Sequence, residues 1–216
     1  MKAVKDHVID AAKKPRGRPR TSTDEDKRKQ IVETARQSFV ELGYAGTTTD
    51  RVAAECKISK NTLYRLFPSK RELLCAVIAT IRQTALDLPR PENEDLTPEQ
   101  ALEKIFLIEI DEEAERERKA IIHVFFSESV QYPEVFEMLH ESAQEMRCDL
   151  AAWLSQQRER GKLSLVNPHH GARMLMDMIF GAFGPPQKDA LDWPSRQARQ
   201  EYMRECIAFF VKAAKP

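Results

Sequence analysis

The stretch Gly43–Leu74, GYAGTTTDRVAAECKISKNTLYRLFPSKRELL, carries the reading on which the fold turns. Residues 47–67 within it divide into two short helical segments, Thr48–Cys56 and Ser59–Phe67, joined by a tight turn. Val52, Ala53, Cys56, Ile58, Leu63 and Phe67 fall where they can face inward together. Ala53 is small enough for two helices to cross closely, and Ser59 is placed to cap the second segment. Lys60, Asn61, Thr62 and Tyr64 lie at or near its leading end and stay outward. A helix-turn-helix whose second helix enters a DNA major groove needs this combination: an apolar inner face that fixes the crossing angle, and small or polar residues outside.

The polar groups also match DNA chemically. Thr48 and Thr49 sit at the start of the first segment, where hydroxyls and free backbone N–H groups can bind a phosphate. Tyr64 offers a phenol on a rigid ring. Lys70 is a mobile cation at the start of the next helix. Lys60 and Asn61 can reach base edges, lysine commonly reading guanine and asparagine adenine.

The same stretch resembles the TetR/AcrR (tetracycline-repressor-like) family of bacterial transcription regulators. The resemblance rests on the Gly-Tyr and Thr-Thr opening, Val52-Ala53, Ile58-Ser59, Thr62-Leu63-Tyr64 and Phe67-x-Ser-Lys70, all in order. It implies an N-terminal three-helix DNA-binding domain on a helical ligand-binding and dimerisation domain. By matched position, Thr48, Ser59, Tyr64 and Lys70 would hold phosphates, and Lys60, Asn61 and Thr62 would face bases or the nearby backbone. Two positions depart from the family. Its interhelical turn usually reads Ala-Gly, where this chain has Cys56-Lys57, so Lys57 is expected at positive φ, uncommon for a residue with a side chain. The recognition helix usually carries Gly where this chain has Asn61, which either adds a base contact or is a tolerated surface residue.

Working outward toward the N-terminus, Ile31, Ala35, Phe39 and Leu42 recur at helical spacing. Thr23 with Asp26 opens that helix, and Gly43 suits a left-handed stop. Residues 1–22 precede it as a basic arm expected to be disordered, since the Pro and Gly of KKPRGRPR (13–20) disfavour helix. Pro15–Pro19 matches the core of an AT-hook, in which Arg16 and Arg18 would lie along the minor groove of A·T-rich DNA. A generic basic tail holding phosphates is the other reading. Net charge over the whole chain is zero, but residues 1–72 hold 17 Lys and Arg against 10 Asp and Glu, and the remainder 17 against 24. A basic front on an acidic body fits a polyanionic partner.

Toward the C-terminus, Ser69 with Glu72 opens a helix to about Leu86, Pro89–Pro98 is a loop, and Thr97-Pro-Glu-Gln100 is a further capping box. The charged run Asp111–Lys119 is expected as a solvated face or turn. A long helix from about Glu134 to Arg160 carries Val135, Leu139, Ala143, Met146, Leu150 and Trp153 in one stripe. Two apolar helices follow, opened by Asn167-Pro168 and by about Ser195. The run 125–139 and Gly161-Lys-Leu with Asn167-Pro168 resemble a subgroup of the family's C-terminal domains. No strand-like alternation is present. The expected fold is all-α, about nine helices, with a DNA-binding domain over residues 23–70 and an effector-binding and dimerisation domain over 71–216.

Within that second domain, Phe106, Ile110, His123, Phe126, Phe136, Met146 and Trp153 are candidates to line an effector pocket. Each is also a candidate for plain core, His123 included. Met174, Met178, Ile179, Ile207 and Phe210 are candidates for a dimer interface, because a helix apolar on more than one face needs a second partner. The resemblance implies a four-helix interface there. The expected partners are double-stranded operator DNA, a second copy of the chain and a small apolar effector, with no cofactor.

Several classes are excluded. Cys56, Cys75, Cys148 and Cys206 lack paired spacing, which argues against zinc and disulfides and for buried reduced thiols. No apolar run approaches the ~20 residues of a membrane span, and the N-terminus lacks a secretory signal's apolar stretch, so a cytoplasmic protein is expected. No Gly-rich phosphate loop, nucleophile elbow or acid–base constellation marks an enzyme. A ligand-responsive homodimeric repressor on a palindromic operator is the leading function. The alternative is an architectural, nucleoid-type DNA-binding protein without effector control.

Overall fold

The structure, a computed structural model, describes residues 23–182 and 193–216. The arm with Arg16 and Arg18 lies outside them. The described residues form nine α-helices and no strand: α1 Asp24–Gly46, α2 Thr49–Glu55, α3 Lys60–Leu66, α4 Lys70–Ala85, α5 Pro98–Ile105, α6 Glu112–Ser129, α7 Pro133–Glu159, α8 Pro168–Gly181 and α9 Arg196–Ala213.

The boundaries follow from local chemistry. Eight of the nine helices open on a side-chain cap: Thr23, Thr48, Ser59, Ser69, Thr97, Asp111, Asn167 and Ser195 each accept from a backbone N–H in the first turn. Each such cap is worth about 1 kcal/mol. Thr23/Asp26 and Thr97/Gln100 close the full reciprocal box, while Ser69 receives only the Glu72 N–H. Helix α7 starts on Pro133 without a side-chain cap, its missing donor being one the first turn leaves unpaired anyway. Gly161 follows α7 at φ 68°. Gly43 differs from a left-handed stop: its φ of 70° is positive but ψ is 178°. That backbone region is open essentially to glycine alone, and it kinks α1 ahead of one further turn.

Two apolar clusters hold the molecule. The first joins Ile31, Phe39, Val52 and Leu63 of α1–α3 to Leu73, Leu74 and Val77 of α4, and to Phe125 of α6 and Val135 of α7. The second joins α5, the C-terminal half of α7, α8 and α9, with Leu102, Leu150, Trp153, Ile179 and Phe210 among its members. Packing is therefore continuous across residue 70. Helices α4, α6 and α7 belong to the core beneath the helix-turn-helix as much as to the body.

The charged run 111–119 is not uniformly solvated. Asp111, Glu112 and Glu113 are exposed, but Glu115 and Arg118 are buried. The run forms the first turns of α6, and one face of those turns is covered by α9. There Glu115 pairs with Arg199, itself buried, and with Arg196 at 2.5 Å. Burial pushes the Arg118 pKa down to about 10. The thiols also divide: Cys56 and Cys206 are buried, whereas Cys75 and Cys148 are exposed.

Candidate nucleic-acid interface and effector cleft

Helices α2 and α3 cross on Val52, Ala53 and Leu63, all buried. The turn between them closes with the Lys57 N–H donating to Ala54 O and the Ile58 N–H to Ala53 O, both at 3.0 Å. Lys57 takes φ 55°, as its place in the turn requires. Polar bonds tie the outer side of the crossing. Thr49 Oγ1 and Tyr64 Oη are 3.0 Å apart, and Lys60 Nζ donates to Asp50 Oδ2 at 2.7 Å. Arg28 fixes the pair against α1 by donating to Leu66 O while its guanidinium lies 4.5 Å from the Phe67 ring centroid.

Thr48, Ser59, Lys60, Asn61 and Tyr64 are exposed, and Thr49, Thr62 and Lys70 half-buried. Thr48 and Ser59 have a second task, since their hydroxyls cap α2 and α3 at 3.2 and 3.1 Å. Lys60 is held by Asp50, whose hydrogen bond raises the lysine pKa. Asn61 makes no side-chain hydrogen bond among the described residues. Lys70 is the least free of the set. Its ammonium lies 4.2 Å from the Tyr44 ring centroid, and burial there lowers its pKa against the opposing pull of Glu128 and Glu134.

A cleft of about 430 Å³ opens between α4, α6, α7 and α8. Ile81, Phe125, Phe126, Leu139, Met146 and Met176 represent its largely apolar wall. Of the seven anticipated pocket residues only Phe126 and Met146 line it. Phe106 and Trp153 are core residues, Ile110 lines a separate groove against α1 and α4, and His123 is exposed. Phe136 is exposed as well, stacked on His140. Sequence reasoning missed Ile78, Ile81, Phe125 and Phe180. The legible signal was in α7, where small Ser142 and Ala143 interrupt a stripe of large apolar residues, leaving space rather than contact at its centre.

The anticipated dimer residues also divide. Ile179, Ile207 and Phe210 are buried in the chain's own core and are closed to a partner. Met174 on α8 is 59% exposed and Met178 half-buried, while Phe209 on α9, outside the anticipated set, is 71% exposed. Among the described residues no cluster of His, Cys, Asp or Glu could hold a metal ion.

Comparison with known proteins agrees with this architecture. Residues 31–77 match the family model of bacterial regulatory proteins of the tetR family, and residues 100–214 that of the AefR-like transcriptional repressor C-terminal domain. The chain is 29% identical over 155 residues to the HTH-type transcriptional regulator YvkB of Bacillus subtilis, covering 72% of this chain and 80% of that one. A TetR-family regulator from Rhodococcus sp. superposes with a TM-score of 0.71 at 18% identity, over 86% of this chain and 98% of its own. The flavonoid-responsive regulator FrrA superposes with a TM-score of 0.60 at 23% identity, over 89% and 98%. The two structures share the fold, and the family models together span the helix-turn-helix and the helical body. The chain belongs to the TetR family: it is a DNA-binding transcription regulator of the helix-turn-helix type, not an enzyme.

Proposed function

We propose that the protein is a ligand-responsive homodimeric repressor of a palindromic operator, with residues 23–70 contacting DNA and residues 71–216 binding effector and partner. The observation that carries this reading is the position of Phe125. Its ring lines the cleft and lies 6.3 Å, centroid to centroid, from Phe39 of α1. A ligand that moves α6 therefore meets the core of the DNA-binding head directly. Helix α4 makes the same link, with Leu73 and Leu74 in the head core and Ile81 and Arg82 at the cleft. An effector acts only through unequal affinity for the DNA-competent and incompetent states.

At the DNA face, Thr48, Thr49, Ser59, Tyr64 and Lys70 hold phosphates, while Lys60, Asn61 and Thr62 reach bases or the adjoining backbone. Lys60 exchanges Asp50, and Lys70 the Tyr44 ring, for phosphate or base. Arg16 and Arg18 in the N-terminal arm add an auxiliary contact in the minor groove or to phosphates. Met174 and Phe209 leave an apolar face on α8 and α9, which pack together, and a second copy covers it. Two recognition helices then stand about 34–36 Å apart, one DNA turn. Repression agrees with the C-terminal family match, and FrrA's response to a flavonoid agrees with a cleft for a small, largely apolar molecule. Among the described residues no helix is long and apolar enough to cross a membrane, in keeping with a cytoplasmic protein.

Selection of bound sites from random double-stranded DNA tests the reading. The expected result is an enriched inverted repeat with half-sites one helical turn apart, bound by a protein that light scattering shows to be dimeric. Binding without an enriched sequence would favour the architectural alternative. Deleting residues 1–20 should weaken binding most where flanks are A·T-rich. Equal loss on G·C-rich flanks rejects the hook and leaves the generic tail.

A further inference from the structure

Three charged residues at the α4–α6–α7–α8 cleft differ in their partners. Arg82 is ion-paired to Glu145 of α7. Asp177 accepts from Arg173, one turn back on α8, at 2.6 Å. Arg147, half-buried on α7, makes no hydrogen bond or ion pair among the described residues. Its own helix offers no carboxylate either. The positions three and four residues away are Ala143, Gln144, Leu150 and Ala151, and only those positions face it on a helix surface.

The cleft is therefore apolar walls plus one cation without a counter-charge. A guanidinium beside apolar surface, where the local dielectric is low, favours an oxyanion, which can accept two parallel N–H bonds from it. A cationic ligand would find Asp177 already engaged and Arg147 repulsive. The volume, about 430 Å³, falls in the ~300–1,000 Å³ range of small-molecule pockets.

We infer that the cleft takes an apolar organic acid, its body against Ile81, Phe125, Leu139 and Met176 and its anionic end on Arg147, which sets specificity. This rests on the reading of the cleft as the effector site. Arg147 and Met146 line the cleft from α7, and Phe125 and Phe126 line it from α6. Neutral analogues fill the same walls but leave the guanidinium unpaired.

The test uses the full-length protein and two fluorescent probes with one aromatic frame. These are 8-anilinonaphthalene-1-sulfonate, which is anionic, and N-phenyl-1-naphthylamine, which is neutral. The wild type should bind the anion at least about tenfold more tightly, the usual worth of a hydrogen bond to a charged group. Arg147→Gln should abolish that preference and leave neutral-probe affinity unchanged, and Arg147→Lys should retain part of it. Ala143→Trp and Met146→Trp, which fill the cleft, should weaken both probes while melting temperature and helical circular dichroism confirm the fold. If the filling variants weaken both probes but Arg147→Gln leaves the preference intact, the charge assignment is overturned and the cleft stands. If well-folded filling variants change neither probe, the cleft reading itself fails.

Discussion

The body, α4–α9, has exposed ion pairs as the head, α1–α3, does, but adds an enclosed charged layer that the head lacks among the described residues. In the head, Lys60–Asp50 and Arg65–Asp24 are pairs whose four side chains are each more than half exposed. In the body, Glu115 and Arg199 are almost wholly enclosed between α6 and α9, and Arg118 lies buried one turn along from Glu115. An exposed pair exchanges partners with water, salt or phosphate at little cost. An enclosed pair does not, because separating it strands a charge in a medium that solvates it poorly. The head is thus arranged to trade contacts with DNA, and the Glu115 layer to hold α6 against α9.

The largest expected effect would break this contrast if it failed. Glu115→Ala removes the carboxylate shared by Arg196 and Arg199. It should lower stability by about 3–5 kcal/mol, the range for breaking one side of a buried pair. Urea denaturation followed by circular dichroism measures it. Asp24→Asn, which removes the exposed partner of Arg65, should leave the urea midpoint essentially where it is. A Glu115→Ala midpoint equally close to wild type would show that the buried layer is no more structural than the surface pairs.

The next effects concern recognition and sharpen the head's side of the comparison. Tyr64→Ala should weaken specific and nonspecific DNA together, because a phosphate contact is blind to sequence. Asn61→Ala should cost about 1–3 kcal/mol on the selected site only if the amide reads a base, relaxing preference at one position. Titrating both variants on selected and scrambled duplexes separates the roles. Unchanged affinity in Tyr64→Ala would refute its phosphate contact.

The same contrast explains what was legible in the sequence. Head residues act at fixed spacing along a few turns, so the exposed positions of Thr48, Ser59 and Tyr64 follow once α2 and α3 are recognised, and the cap residues mark where those helices begin. The body's features depend on helices distant in sequence. Glu115 meets Arg199 across 84 positions, and the cleft draws its lining from four helices. Periodicity identifies an apolar face without saying whether a neighbour fills it. For that reason Phe106 and Trp153 proved to be core and Ile179, Ile207 and Phe210 interior, while Phe125 and Arg147 gave no local sign of their place.

The smallest expected effect lies at the point where local reading was sharpest, the turn at Lys57. Its φ of 55° brings a Cβ close to the neighbouring carbonyl, which costs a residue with a side chain about 1 kcal/mol or somewhat more. Glycine avoids that strain but loses more backbone freedom on folding, which returns part of the gain. Lys57→Gly should therefore raise stability by no more than about 1 kcal/mol, a small upward shift in urea midpoint. The hydrogen bonds that close the turn use only backbone atoms of Lys57 and Ile58, so the relative placement of α2 and α3 survives the substitution. DNA preference then becomes the informative measurement. If selected sites are unchanged, lysine at this position is a tolerated strain with no part in recognition. If preference moves while the fold and turn remain intact, the exposed Lys57 side chain contributes to recognition, and the DNA-reading surface extends from α3 into the turn.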